Sequence, residues 1–182
     1  MQLKGMMANV ITFAGNGEPT AHPRFADIID DTLRLRDSYC PKAEVSVLSN
    51  ATQLHRPDVV KALLRIDNNI QKLDTVDPSF INNVDRPTSH YDVRRIISQL
   101  KAFNGQVIIQ TMFLHGPALD NTTPHYVEPW LQAIADIKPR QVMVYTVDRE
   151  TPDTTLTKAS HQELDAIRDR VIALGIDCTA SY

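Results

Sequence analysis

Apolar positions follow two different spacings along the chain. Short runs of aliphatic and β-branched residues predict strands, and stretches with an apolar residue every three or four positions predict amphipathic helices between them. The predicted strands lie at 10–13, 44–48, 69–74, 107–113, 141–147 and 176–180. The predicted helices begin near Pro23, Arg56, Ser89, Thr123 and Ser160. This strict alternation predicts an α/β fold with a parallel sheet and right-handed crossovers.

Polar residues follow the predicted strands rather than the predicted helices. Five of them mark the strand ends: Glu18, Asn50, Asp74, His115 and Asp148. In parallel sheets the carboxyl ends of the strands meet at one edge, and ligands bind there in barrels and in open sheets alike. Lys72 and Gln110 lie within strands and would face inward, which favours a barrel or part of one. His115 and Asp120 share a loop and could bind substrate or metal, but isolated loop residues usually do neither.

The first strand ends in an unusual turn. After Val10–Phe13 come Gly15, Asn16 and Gly17, residue types that tolerate positive φ and can turn backbone amides outward. Glu18 then places a carboxylate at the end of the strand, and Pro19 fixes the backbone after it. An ordinary strand-to-helix turn with a solvated glutamate is the plainer interpretation of the same residues.

Lys72 and Asp74 are two positions apart in a predicted strand, so both side chains point to the same side. Inside a barrel, unpaired charges are costly, and such residues contact each other or a ligand. A structural ion pair and a ligand-binding pair therefore both remain open from the sequence.

Composition narrows the class of protein. The 182 residues include 42% apolar and 23% charged residues, the mix of a globular domain, and the net charge of −3 gives no support for nucleic-acid binding. There is no long apolar run for a membrane span and no signal-peptide pattern, so we expect a cytoplasmic protein without a membrane partner. The two cysteines, Cys40 and Cys178, have no metal-ligand spacing.

The segment Gly15-Asn16-Gly17-Glu18-Pro19-Thr20 resembles the Gly-Gly-Glu-Pro motif of radical S-adenosylmethionine (SAM) enzymes. The later strand endings come in the order of strands two to six of that family's partial (β/α)6 barrel: Ser49-Asn50, Lys72-x-Asp74, Gln110 and Tyr145. The resemblance covers nearly the whole chain. It implies one core domain over residues 1–182, with a TIM-like partial barrel in which the first β/α unit is missing.

The resemblance also implies a set of ligand-binding residues. Glu18 would accept hydrogen bonds from the ammonium of SAM, and Asn16 stands where the family motif has its first glycine. Lys72 and Asp74 would lie where the family contacts the ribose hydroxyls and the carboxylate, and the strand around Tyr145 would approach the adenine through its backbone. The full set is Gly15, Asn16, Gly17, Glu18, Pro19, Ser49, Asn50, Lys72, Asp74, Gln110 and Tyr145.

The chain departs from the family in one essential feature. Radical SAM enzymes hold a [4Fe–4S] cluster by a Cys-x3-Cys-x2-Cys loop after the first strand, and two cysteines cannot supply it. Met1 to Gly5 reads either as an N-terminal tail or as the last turn of a helix, with Lys4 and Gly5 at its end. We therefore expect a fragment, with the cluster only in the full-length chain, without metal ligands or catalytic residues of its own, and inactive alone.

In the parent enzyme the family chemistry would be reductive cleavage of SAM followed by hydrogen abstraction from a substrate that the sequence does not identify. The Glu-Pro-Thr version of the motif is similar to the branch of tRNA wyosine-forming and glycyl-radical-activating enzymes. Without an upstream neighbour, the Val10–Phe13 strand would be an exposed edge, which we expect to self-associate or be covered.

Two other classes of function fit the residues. One is an enzyme on a different α/β barrel, in which Glu18 and Lys72 act as an acid-base pair on a metabolite. The other is a non-catalytic interaction module whose polar strand ends are only solvated. Binding of SAM that depends on Glu18 would distinguish the radical SAM interpretation from both of these other classes.

Overall fold

A computed structural model describes residues 8–15, 17–85, 87, 91–117, 120–148 and 154–182, without the side chains of residues 84 and 85. Contacts between residues divide the chain into two compact units, Met1–Gln71 and Lys72–Tyr182. The division falls within the third strand. The possible helix end at Met1–Gly5 lies outside the described residues.

The first unit alternates strands and helices. Its elements are β1 (Val10–Phe13), a 3-10 turn (Pro19–Ala21), α1 (Phe25–Tyr39), β2 (Glu44–Ser49), α2 (Pro57–Leu63) and β3 (Asn68–Lys72). The strands are parallel in the order β1-β2-β3, with Phe13 opposite Val47 and Ser49 opposite Gln71. The parallel α/β arrangement predicted for this part of the chain is confirmed.

The core of the first unit follows from the apolar spacing of α1. Phe25, Ile29 and Leu33 recur every four residues, which places them on one side of the helix, and all three are buried. Val45 and Val47 alternate along β2 and are fully buried. The opposite face of β1 and β2 remains partly exposed, and 49% of the surface of Val10 is accessible.

The second unit continues the same alternation with more irregular connections. Its elements are α3 (Pro78–Phe80), a π-helical turn (Ile81–Asp85), α4 (Val93–Lys101), β4 (Ile108–Met112), β5 (Leu114–His115), α5 (Pro124–Ile137), β6 (Gln141–Tyr145), β7 (Thr157–Lys158), α6 (His161–Ala173) and β8 (Asp177–Ser181). Strands β4, β6 and β8 are parallel in that order, and β5 pairs antiparallel with β7. The two-residue strands β5 and β7 were not predicted.

The sheet of the second unit has one buried and one half-exposed face. Ile109, Thr111, Val142 and Val144 are buried on the first. The second face carries the partly exposed residues Gln110, Met112, Met143 and Tyr145. Helix α6 contacts β6 and β8.

The structure confirms one predicted helix start in the second unit. Helix α6 begins after Ser160, as predicted, and Ser160 forms a capping box with Glu163. Helix α4, however, begins after Asp92, whose carboxylate accepts hydrogen bonds from the Arg94 and Arg95 N–H groups. Ser89, near which this helix was predicted to begin, lies outside the described residues. None of the helices in the described ranges is long and apolar enough to cross a membrane.

Candidate functional site

The Glu18 carboxylate joins the turn after β1 to the end of β2. Its Oε1 accepts hydrogen bonds from the Thr20 N–H, at 3.0 Å, and from the Thr20 hydroxyl. Its Oε2 accepts one from the Asn50 N–H at 2.6 Å. A carboxylate offers about four acceptor positions, so one on Oε2 has no donor among the described side chains and backbone groups. Glu18 is thus held in a fixed orientation and still has room for a further donor.

The glycines before Glu18 provide open space rather than a special backbone conformation. Neither Gly15 nor Gly17 has a positive φ, so the left-handed conformation suggested by their residue type is absent at both. A Cβ atom added to either would meet no heavy atom within 4 Å. Asn16 lies outside the described residues. The turn therefore leaves its backbone accessible to a ligand.

The segment after β2 is a tight turn built on its own polar side chains. The Ser49 hydroxyl accepts a hydrogen bond from the Ala51 N–H at 3.1 Å, and the Asn50 Oδ1 accepts from the Thr52 N–H at 3.1 Å and from its hydroxyl at 2.6 Å. Ala51 is buried with φ +65, an uncommon conformation for a residue other than glycine. Ser49 and Asn50 thus lie at the end of β2 beside Glu18.

Arg56 braces the segment that follows Glu18. Its guanidinium donates to the backbone carbonyls of Thr20 at 3.1 Å, His22 at 3.4 Å and Pro23 at 3.3 Å. Thr20 lies in the 3-10 turn, and His22 and Pro23 lie between that turn and α1. Arg56 was predicted only as the start of a helix, because its contacts are more than thirty residues distant in the sequence.

In the second unit, Lys72 and Asp74 form an ion pair. Lys72 Nζ lies 2.8 Å from Asp74 Oδ2, and the other oxygen, Oδ1, accepts a hydrogen bond from the Met112 N–H at 2.8 Å. The Asp74 side chain is 2% exposed, while that of Lys72 is 37% exposed. Strand β3 ends at Lys72, so Asp74 follows the strand rather than lying within it. The ammonium, and not the carboxylate, is the accessible member of the pair.

Gln110 and Tyr145 lie on neighbouring strands β4 and β6. The Gln110 carbonyl accepts from the Leu73 N–H at 3.0 Å, and the Tyr145 carbonyl accepts from the Phe113 N–H at 2.8 Å. Both side chains lie on the half-exposed face of the sheet in this unit. Their backbone carbonyls therefore join neighbouring segments, and their side chains lie on the half-exposed face of the sheet.

The chain has distant relatives in sequence. No family model matches the chain. A UPF0026 protein from Synechocystis is 28% identical over 148 residues, which cover 79% of this chain and 52% of that protein. A UPF0026 protein from Helicobacter pylori is 25% identical over 145 residues, covering 78% and 44%. The chain therefore spans about half the length of these relatives. The GTPase Obg of Brachyspira hyodysenteriae is 23% identical over a stretch that covers only 22% of that protein.

Several solved structures superimpose on nearly the whole of this chain. A domain of a pyruvate-formate lyase-activating enzyme from Bacteroides vulgatus superimposes with a TM-score of 0.68 at 16% identity, covering 94% of this chain and 98% of that one. A radical SAM methyltransferase from Sphaerobacter thermophilus has a TM-score of 0.72 at 15% identity and covers 100% of this chain and 53% of that one. SuiB from Streptococcus suis, bound to SAM, has a TM-score of 0.67 at 15% identity, covering 95% and 38%. The chain shares the fold of these three proteins.

This shared fold confirms the predicted fold class, an α/β architecture of the partial-barrel type. At identities of 14–16% the solved structures establish the fold and not the residues that bind a ligand. The role of the eleven predicted binding residues remains a prediction. So do the single domain over 1–182, the cytoplasmic location and self-association through β1.

The cysteines of the chain do not fit a [4Fe–4S] cluster held by three thiolates. The sequence contains only Cys40, in the first unit, and Cys178, in the second. Burial raises the pKa of the Cys178 thiol to about 11, which disfavours the thiolate that iron requires. Within the described ranges, no group of three His, Cys, Asp or Glu side chains is arranged to hold a metal ion. No chemical step through a cluster is therefore derived for these residues.

Two buried polar side chains, those of Gln71 and Asn121, were not predicted from the sequence. Gln71 is fully buried, and its Nε2 donates to Asn69 Oδ1 at 2.6 Å, while its Oε1 has no hydrogen-bond partner among the described residues. Asn121, which is 1% exposed, bonds to three backbone groups near the Lys72–Asp74 pair. Nothing in the sequence distinguishes Gln71, within β3, or Asn121, in a loop, from polar residues that face the solvent.

His115 lies between two carboxylates instead of in an isolated loop position. Its Nδ1 is 2.9 Å from Asp120 Oδ2, and its Nε2 is 3.0 Å from Glu163 Oε2. The hydrogen bond with Asp120 raises the pKa of His115, partly opposed by burial and assisted by Glu163. Burial alone would raise the pKa of Asp120 and of Glu163, but hydrogen bonds from Thr122 and His115 lower the first, and those from Ser160 and His115 lower the second. We call these three side chains the His115 clamp.

Proposed function

We propose that this chain binds SAM as part of a radical SAM enzyme. In this proposal, residues other than Cys40 and Cys178 hold the iron–sulfur cluster of that enzyme. The radical SAM fold supports the class, and the orientation of Glu18 supports the ligand. When bound, SAM supplies the adenosyl group on which the chemistry of this class depends.

The observation that carries the proposal is the remaining acceptor position of Glu18. The Thr20 N–H and hydroxyl and the Asn50 N–H occupy three positions of its carboxylate. They fix it without any cation, because no salt bridge to Glu18 occurs within the residues the structure describes. A carboxylate held by neutral donors keeps its negative charge available, and a ligand ammonium is a suitable partner for it.

The other proposed contacts follow from exposure. Gly15 and Gly17 leave the approach to the turn open, and Ser49 and Asn50 border it at the end of β2. In the second unit, the Lys72 ammonium is the accessible member of its ion pair and would receive the ligand's carboxylate. Gln110 and Tyr145 would contribute from the half-exposed face of their sheet, and Asp74 would act through Lys72.

The test is calorimetric titration of SAM into the purified chain. We expect saturable binding that is at least tenfold weaker in Glu18→Gln, because the amide keeps the size of the side chain but loses the charge. Glu44→Gln is the matched control, since Glu44 is an exposed carboxylate at the opposite end of β2. Equal affinities of the wild type and Glu18→Gln would refute the role of Glu18.

Absence of SAM binding to the wild-type chain would refute the proposal as a whole. Titration in parallel with methionine and with adenosine separates the two halves of the ligand. The proposal expects Glu18→Gln to weaken whatever binding methionine shows and to leave the binding of adenosine unchanged, because Glu18 is assigned to the ammonium alone.

A further inference from the structure

Asn121 connects three backbone segments of the second unit. Its Oδ1 accepts a hydrogen bond from the Leu114 N–H at 2.8 Å. Its Nδ2 donates to the Met112 carbonyl at 2.8 Å and to the Asp74 carbonyl at 3.2 Å. The residue is 1% exposed, so these bonds form away from bulk water, where a mismatched polar group is expensive. Asn121 therefore fixes the backbone of Asp74 relative to the end of β4.

The Asp74 side chain uses the same anchor points. Met112, whose carbonyl binds Asn121, also donates its N–H to Asp74 Oδ1 at 2.8 Å. Both the backbone and the carboxylate of Asp74 are thus tied to one residue of β4. The remaining oxygen, Oδ2, lies 2.8 Å from Lys72 Nζ and forms an ion pair with it, although it accepts no hydrogen bond of good geometry from the described residues. Any displacement of the Asp74 backbone would change the direction in which this oxygen holds the ammonium.

We infer that Asn121 is a positioning residue of the candidate site: it orients Asp74, and through Asp74 it orients the Lys72 ammonium toward an anionic group of the ligand. This inference rests on the proposed function, since Lys72 is the group assigned to the ligand. Asn121 itself touches no ligand in this scheme, because its amide is buried and all its hydrogen bonds go to the backbone.

The chemistry of the site requires an amide at this position. One side of it faces an N–H donor, and the other faces two carbonyl acceptors, so both a donor and an acceptor are needed in one planar group. Aspartate has the same shape but would place an oxygen opposite the carbonyls of Met112 and Asp74. Asn121→Asp is therefore a change of hydrogen bonding with almost no change of volume.

The experiment compares wild type, Asn121→Asp and Thr146→Val by NMR of protein labelled with ¹³C,¹⁵N-lysine. Lys72 is assigned through its absence in Lys72→Arg, and the exposed Lys61 and Lys101 provide reference signals. Thr146→Val is the matched control, because its buried hydroxyl accepts from the Ala159 N–H at 2.8 Å and is absent from the Asp74 contacts. The affinity for SAM is measured on the same samples.

We expect the Lys72 ammonium signal to move toward those of Lys61 and Lys101 in Asn121→Asp and to stay in place in Thr146→Val. We also expect SAM to bind Asn121→Asp at least tenfold more weakly than wild type. An unmoved Lys72 signal in folded Asn121→Asp would overturn the inference, and so would an equal movement in Thr146→Val. If Asn121→Asp does not fold, Asn121→Ser, which keeps one hydroxyl, serves the same comparison.

The two proposals fail in distinguishable ways. If wild-type protein does not bind SAM, the proposed function is refuted whatever Lys72 does, and the assignment of Asn121 to a ligand site falls with it. If wild type binds SAM, Lys72 moves and the affinity is unchanged, the proposed function survives and the role of Asn121 in binding is refuted.

Discussion

The His115 clamp predicts that stability depends on pH in a defined window. His115 has a raised pKa in the folded chain, so its contribution is complete below its ordinary value of 6.5 and is lost as the pH rises through the raised value. The pKa values of Asp120 and Glu163 are lowered, so their contributions are present above 3.8 and 4.5 and are lost as the pH falls through the lowered values. The clamp therefore stabilises the fold most between pH of about 4.5 and 6.5.

The size of the effect follows from two contacts and their exposure. A hydrogen bond to a charged group contributes about 1.5–3 kcal/mol when it is well shielded. The side chains of His115, Asp120 and Glu163 are 29%, 34% and 38% exposed, so solvent weakens both contacts of the clamp. We therefore expect the whole clamp to contribute about 1–2 kcal/mol at pH 5.5. Lys158 on β7, which lies opposite Leu114, pairs with Asp148 at 3.1 Å.

The assay is urea unfolding of the wild type and His115→Gln at pH 5.5 and pH 9, followed by circular dichroism. Glutamine retains one donor but no charge, so the free energy of unfolding should fall by about 1–2 kcal/mol at pH 5.5 and by less than half of that at pH 9. His55→Gln is the control, because His55 is exposed and, among the described residues, its ring hydrogen-bonds to the Thr52 carbonyl alone. An equal difference between wild type and His115→Gln at both pH values would refute the linkage to protonation of His115.

Two further predictions concern the second unit. Ser160→Ala should lower the free energy of unfolding by about 1 kcal/mol, since the capping box of α6 loses the bond from the Glu163 N–H, whereas Ser38→Ala within α1 should change it by less than about 0.5 kcal/mol. Equal losses in urea unfolding would contradict the cap. Cys178 should react with iodoacetamide at pH 8 roughly a hundredfold more slowly than an unstructured cysteine peptide, because burial raises its pKa to about 11. Comparable rates by mass spectrometry would contradict that value.

The sequence predicted the elements of the fold well because they are local. The apolar spacing of Phe25, Ile29 and Leu33 specifies a helix with one buried side, and the alternation in β2 specifies a strand. The capping box of Ser160 and Glu163 lies within one helical turn and needs no distant contact. Strands β5 and β7 could not be predicted, because two residues carry no periodicity and their pairing joins positions more than forty residues apart.

Candidate site residues could be proposed from the sequence where they lie at the ends of predicted strands. They could not be proposed where their role depends on contacts with residues far away in the sequence. Glu18 and Lys72 could be proposed from the sequence, because Glu18 follows an apolar run and Lys72 shares one side of a predicted strand with Asp74. Asn121, Arg56 and the His115 clamp were missed as functional or structural centres, because an asparagine or histidine in a loop is ordinary in sequence. His115 and Glu163 are 48 residues apart, and only the folded chain brings them together.

Glu18 in the first unit and Asp74 in the second make the same kind of contact. Glu18 follows β1 and accepts the N–H of Asn50, directly after β2; Asp74 follows β3 and accepts the N–H of Met112, the last residue of β4. In each case a carboxylate after one strand bonds to the backbone at the carboxyl end of a later strand in the same unit. Such a bond to an ionised acceptor is stronger than one between neutral groups. The other oxygen of Asp74, Oδ2, forms the ion pair with Lys72. The other oxygen of Glu18, Oε1, accepts from Thr20, and the open acceptor position is on Oε2. A carboxylate that served only to join strands would need neither an open acceptor position, as Glu18 has, nor a partly exposed ammonium beside it, as Asp74 has, so both arrangements favour ligand binding over a purely structural role.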